Sequence, residues 1–183
     1  LLPVDSGEVS LPTHNVSIGN PYQALQNRVA YVPKDRDGEA LMMGASIQNN
    51  FCLPSVETLK GRFGFLSPKK LYQASSKARE QFSVKSTGVD QLMRALSGGN
   101  KQKVNLGRWL IKDLDVLIVD CPTRGVDIGV KAYIYQCLRE AKEKGMAILL
   151  ITDELSEVLG MADTIAVMKD GEIQQIGTPQ EVF

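Results

Sequence analysis

Val116-Leu117-Ile118-Val119-Asp120 is a run of four apolar residues that ends in a carboxylate. A strand that alternates has one wet face. An unbroken apolar strand belongs instead to a sheet covered on both faces, and such sheets are parallel. Ala147-Ile148-Leu149-Leu150-Ile151 and Ile165-Ala166-Val167-Met168 repeat the pattern. Between the first two runs, Val130, Ile134, Cys137, Leu138 and Ala141 fall on one side of a helix, which Gly145 closes. The order β-α-β-α-β predicts an α/β fold built on a parallel sheet. Asp170-Gly171 predicts a tight hairpin turn into a strand over Glu172–Ile176.

Upstream the patterning changes. Residues 1–33 read as small β-hairpin material, with a turn at Asp5-Ser6-Gly7 and an alternating strand at Glu8–Leu11. Arg28–Val32 is a second strand, stopped by Pro33, and Lys34–Glu39 is a polar loop. Ser46 caps a short helix through Leu53 that Pro54 ends. Leu71, Ser75, Ala78 and Phe82 share one helical face. The expected division is a partial core with an antiparallel β sub-lobe over 1–39, an inserted helical lobe over 40–95, and the α/β core over 96–183.

Composition narrows the function classes. The 183 residues carry 21 Lys and Arg against 21 Asp and Glu, so the formal net charge is zero. No strong field for nucleic acid or anionic lipid follows from that balance. The longest plainly apolar run, Met146–Ile151, is far too short to span a bilayer. Cys52, Cys121 and Cys137 are odd in number and lack CxxC spacing. They exclude a disulfide framework or zinc ribbon and point to a reducing compartment. The single histidine, His14, excludes a multi-histidine metal site and reads as a surface residue in a turn. Leu1-Leu2-Pro3 reads as the interior of a longer chain.

Ligands of open parallel sheets bind beyond the carboxyl ends of the strands. Asp120 stands at such an end, where it can hold Mg²⁺ beside a nucleotide or simply anchor a loop. Leu96-Ser97-Gly98-Gly99-Asn100 precedes a helix pattern over Lys101–Leu110. Ser97 is a good N-cap, and the two glycines expose backbone N–H groups at a helix start, which suits an anion. The same residues also fit a plain glycine turn before a capped helix.

Taken together and in this order, the segments resemble the ATPases of ABC transporters. Leu96–Val104 resembles their signature motif and Val116–Asp120 their Walker B strand. Pro122-Thr123-Arg124-Gly125-Val126-Asp127 is similar to the D-loop of monosaccharide importers. Glu154–Asp163 is similar to the segment after their switch position. Tyr31–Arg36 resembles the Q-loop region of their second nucleotide-binding domain. The resemblance implies a P-loop NTPase-like core, ATP and Mg²⁺ as cofactors, and nucleotide contacts from Lys34, Ser97, Gly98, Gly99, Asn100, Asp120 and Asp127. Asp120 would also meet the metal. It further implies an ATP-binding subunit, peripheral on the cytoplasmic face of a membrane. Its partners would be another nucleotide-binding domain, a permease and, indirectly, a solute-binding protein, with no role for nucleic acid.

Four departures from the family pattern qualify that picture. No G-x-x-x-x-G-K-[S/T] phosphate loop, the Walker A segment, occurs in these residues. This chain alone is therefore expected to hold ATP poorly and to be inactive. Cys121 stands at the catalytic glutamate position, and a thiol with a pKa near ~8.5 is a poor base at neutral pH. Asp153 stands at the switch histidine position and is expected to cap the helix that follows. Lys34 replaces the Q-loop glutamine. The resemblance thus implies a domain that supplies its signature to a composite ATP site while its own hydrolytic residues are degenerate. A non-hydrolysing interaction module and a soluble ABC ATPase outside transport are the alternatives.

Overall fold

A computed structural model describes residues 6–7, 9–11 and 16–182. His14, Asp5 and Glu8 lie outside them. The first elements are β1 (Ser10–Leu11) and β2 (Val16–Ser17), paired antiparallel. A helix follows where only hairpin was expected. It is α1 (Pro21–Gln26), begun by Asn20, whose side chain accepts from the Gln23 N–H, and by Pro21 in its first turn. β3 (Val29–Val32) leads to the Lys34–Glu39 segment. That segment is not a loose loop: Arg36–Ala40 forms one π-type turn, with the Asp35 carboxylate accepting from the N–H groups of Asp37 and Gly38.

Ser46 caps α2 (Ile47–Cys52) as expected, accepting from the Asn49 N–H at 3.1 Å. Pro54 does not end the helical path. It sits in the first turn of a 3₁₀ segment (Leu53–Ser55) that continues into α3 (Val56–Leu59), because proline is tolerated where its missing N–H has no partner to lose. α4 (Pro68–Gln81) and α5 (Gly98–Leu110) follow, then β4 (Val116–Asp120), α6 (Ile128–Glu143) and β5 (Ala147–Ile151). The chain closes with α7 (Leu155–Met161), β6 (Ile165–Lys169), β7 (Glu172–Gly177) and α8 (Pro179–Val182).

β3, β4 and β5 form a three-stranded parallel sheet in that order. Val32 lies opposite Val119, and Asp120 opposite Ile151. The third apolar run does not join this sheet. β6 pairs antiparallel with β7, through a hairpin whose Asp170 and Gly171 take φ of 52° and 83° as a type I′ turn requires. Nor is β5 covered on both faces: Leu149 is 54% and Ile151 46% exposed. An apolar run registers only that its side chains are apolar, and says nothing of what covers them. Among the described residues β5 has a strand on one side only.

The core joins sheet and helices. Val32, Leu117 and Val119 pack with Ile47, Phe51, Met93, Val104, Leu106, Ile134 and Leu138. Phe51 on α2 stacks on Phe82 at the end of α4, with ring centroids 6.3 Å apart. Both rings lean on Gly107 of α5. A Cβ at that residue would lie 2.7 Å from Phe82 Cδ2 and 3.1 Å from Phe51 Cε1. Glycine thus lets two aromatic rings reach a helix backbone. Gly107→Ala should lower stability by about 1–3 kcal/mol by overpacking, read from the midpoint of urea unfolding. An unchanged midpoint would mean that the rings yield freely.

Candidate functional site

The parallel register gathers the sequence-singled residues at one end of the sheet. β3 delivers Lys34, β4 delivers Asp120 and Cys121, and β5 delivers Asp153. Lys34 and Asp153 are exposed, Asp120 is half-buried and Cys121 is buried. The Tyr31 hydroxyl donates to Asp120 Oδ2 at 3.2 Å. Burial, then the Asp120 charge, pushes the Tyr31 phenol up. Asp120 thus offers a hard oxygen donor at the rim.

Cys121 takes φ of 44°, uncommon for a residue with a side chain, and its N–H donates to the Ile151 carbonyl at 2.8 Å. Burial and a hydrogen bond with Asp120 push its thiol pKa up, against a smaller opposing pull from Lys34. Raising a thiol pKa keeps the proton on, so Cys121 is neither a base nor an activated nucleophile at neutral pH.

The signature-like stretch lies at the start of α5. Ser97 is the N-cap residue, but its side chain accepts from no helix N–H, so the expected side-chain cap is not made. Asn100 intervenes. Its Nδ2 donates to Ser97 Oγ at 2.9 Å, and its Oδ1 accepts from the Lys85 N–H at 2.8 Å. With Oγ engaged as an acceptor, the hydroxyl of this exposed residue keeps its own proton free to donate. The Gly98 and Gly99 side-chain spaces are filled by neighbours. A Cβ on Gly98 would lie 3.0 Å from Arg36 Nη2, and one on Gly99 2.7 Å from Val130 Cγ2.

Asp127 N-caps α6, its Oδ1 accepting from the Val130 N–H at 3.0 Å. Asp153 caps nothing: the N-cap of α7 is Glu154, one residue later, without a side-chain cap bond. Glu154 is met by Lys131 Nζ, which donates to both its oxygens at 2.7 and 2.6 Å.

Several organising residues escaped the sequence reading. Arg36 Nη1 donates to the Arg124 carbonyl at 3.4 Å, and Asp37 pairs with Lys101 of α5 at 2.9 Å. Buried Gln102 donates to the Pro122 carbonyl at 2.6 Å. Buried Thr123 donates to Glu157. Each joins segments far apart in sequence.

A family model described as ABC transporter matches residues 1–124. The chain belongs to the ABC transporter family. Ribose import ATP-binding protein RbsA of Lactococcus lactis subsp. lactis (strain IL1403) is 40% identical over 171 residues, covering 93% of this chain and 35% of that protein. A protein of the same name from Bacillus cereus is 37% identical, over 93% of this chain and 34% of its own length. The chain thus spans about a third of the curated relatives it matches. A dimeric, post-hydrolysis ATP-binding cassette bound to ADP and phosphate superposes with a TM-score of 0.78 at 19% identity, covering 95% of this chain and 74% of that one. A nucleotide-free cassette from an ABC transporter gives 0.78 at 23% identity, over 99% and 73%. The fold of this family member is therefore that of an ATP-binding cassette.

Two outcomes test this geometry. Gly99→Ala should cost about 1–3 kcal/mol in urea unfolding, and adding Val130→Ala should recover most of it. In the native protein, Cys52, Cys121 and Cys137 are buried and burial raises each thiol pKa. Alkylation by iodoacetamide at about pH 7.5 should run well below the rate of the unfolded chain and quicken only as pH rises past the ordinary thiol range. A thiol that reacts fast near neutral pH would contradict the burial.

Proposed function

We propose that this chain is the C-terminal nucleotide-binding domain of an ATP-driven importer of a monosaccharide or similar small solute, and that it contributes to ATP hydrolysis across a domain interface. One observation carries the reading. Ser97 is exposed at a glycine-flanked helix start with its Oγ accepting from Asn100, while the strand end where the family pattern has a catalytic glutamate holds a buried thiol. Relatives named as ribose import ATP-binding proteins support the solute class.

In this reading Ser97, Gly98, Gly99 and Asn100 meet the triphosphate held by another nucleotide-binding domain. The donors are a hydroxyl and backbone N–H groups, fixed before the charge develops, which is where electrostatic catalysis draws its strength. Arg36 and Val130 hold the backbone of the glycines in place. Asp127 faces the same interface. At the domain's own sheet end, Asp120 would hold Mg²⁺ through one carboxylate, leaving the remaining positions to water and phosphate, as that ion prefers. When bound, the ion neutralises phosphate charge. Lys34 supplies a cation beside it.

Cys121 orients no water. Asp153 adds negative charge where the family places a histidine. Its own site therefore splits no nucleotide. The helices between 40 and 95 form the lobe that would meet the permease, and the protein would sit on the cytoplasmic membrane face. The described residues include no helix long and apolar enough to cross a bilayer. The residues Cys121 and Asp153 also favour a second reading, a domain that has lost turnover altogether.

In the intact protein that contains this segment, Ser97→Tyr should lower ATPase turnover about a hundredfold, while Cys121→Ala leaves it within about twofold. Turnover undiminished by Ser97→Tyr overturns the composite site. A wild-type protein without ATPase activity selects the second reading.

A further inference from the structure

Four side chains along one face of α6 reach across to α7 and its flanks. Lys131 holds both oxygens of Glu154, the Tyr135 hydroxyl donates to Glu157 Oε1 at 2.8 Å, Arg139 Nη2 donates to the Gly160 carbonyl at 3.1 Å, and Lys142 pairs with Asp163. Steps of three or four residues on α6 match steps of three on α7, so both rows keep facing each other. Apolar packing reaches α7 chiefly at its end, where the half-buried Met161 meets the core. The one buried residue of α7 is Glu157, and Leu155 and Leu159 are exposed.

Glu157 differs from its companions in this ladder. It is 1% exposed, as is Thr123, whose hydroxyl donates to the same Oε1. The other oxygen, Oε2, has no partner among the described residues. A buried carboxylate with an unanswered oxygen costs stability, and an apolar residue would avoid that cost. The arrangement is explained by what Glu157 joins. Thr123 is the second residue of the Pro122–Asp127 loop, which the Cys121 N–H to Ile151 bond anchors at its entry and Asp127 anchors at its exit by capping α6. Glu157 stands one helical turn after Asp153.

We propose that Glu157 is a positioning residue that locks the Pro122–Asp127 loop to the helix following Asp153, so that the loop and this switch segment move together. The proposal rests on the composite-site reading for its effect on turnover, since that loop then faces the neighbouring domain. The lock itself is a property of this domain. Thr123 and Glu157 are both buried. They act through the loop backbone.

The test uses the intact protein and two readouts. Thr123→Val keeps the shape and removes the donor, Thr123→Ser keeps the donor, and Glu157→Gln keeps the shape and removes the charge. Without nucleotide, amide hydrogen exchange should accelerate together over 122–127 and 154–161 in Thr123→Val and Glu157→Gln, and stay at wild-type rates in Thr123→Ser. In turnover, Thr123→Val should lower kcat about tenfold with the KM for ATP within about twofold, Thr123→Ser should restore it, and the double variant should be no worse than the more damaged single one. Wild-type exchange in both segments, acceleration in the loop alone, or additive kinetic losses would overturn the lock. If Ser97→Tyr leaves turnover intact, the composite-site reading falls, and the exchange result still decides whether the two segments are tied.

Discussion

The alignment of three parallel strands governs everything else in this domain. Val32 beside Val119 and Asp120 beside Ile151 set the strand ends level, so the residues just beyond them emerge side by side. Shifting β4 by one residue would turn Leu117 and Val119, both fully buried, toward the opposite face. The same shift would carry Asp120 away from the Tyr31 hydroxyl. Core packing and rim chemistry are thus fixed by one set of backbone hydrogen bonds.

From that base the structure is organised in two materials. The interior of the helices is apolar and close-fitted, as the stacking of Phe51 and Phe82 on Gly107 illustrates. The loops at the strand ends are held by polar ties: Gln102 to Pro122, Arg36 to Arg124, Lys101 to Asp37 and Thr123 to Glu157. Directional bonds suit that task, since they fix a backbone in one place, whereas apolar contact tolerates sliding. The Pro122–Asp127 loop receives ties from three separate parts of the chain, and the proposed interface role falls on the same loop.

How much was legible in the sequence follows from the range of each interaction. Local patterning placed α2, α4, α5, α6 and the strands of the parallel sheet. Ser46 and Asp170-Gly171 act over a few residues and did what their chemistry predicts. Some of the misreadings were local and others involved a distant partner. Ser97 makes no side-chain cap and accepts from Asn100 instead, and Asp153 lies one residue before Glu154, which Lys131 holds from another helix. The run Ile165–Met168 looked like its predecessors yet joined a hairpin, because apolar character does not say which strand lies alongside. The signature-like stretch could be found by its wording. The Thr123–Glu157 pair, 34 residues apart, could not.

The bare side of β5 carries a practical lesson for the bench. Its outer amides and carbonyls meet no strand among the described residues, and Leu149 and Ile151 stand beside them in the open. A sheet margin of that sort recruits any extended peptide that reaches it, its own twin included. Handled in isolation at high concentration, this polypeptide would clump, and its solubility would report on the margin rather than on the quality of its core.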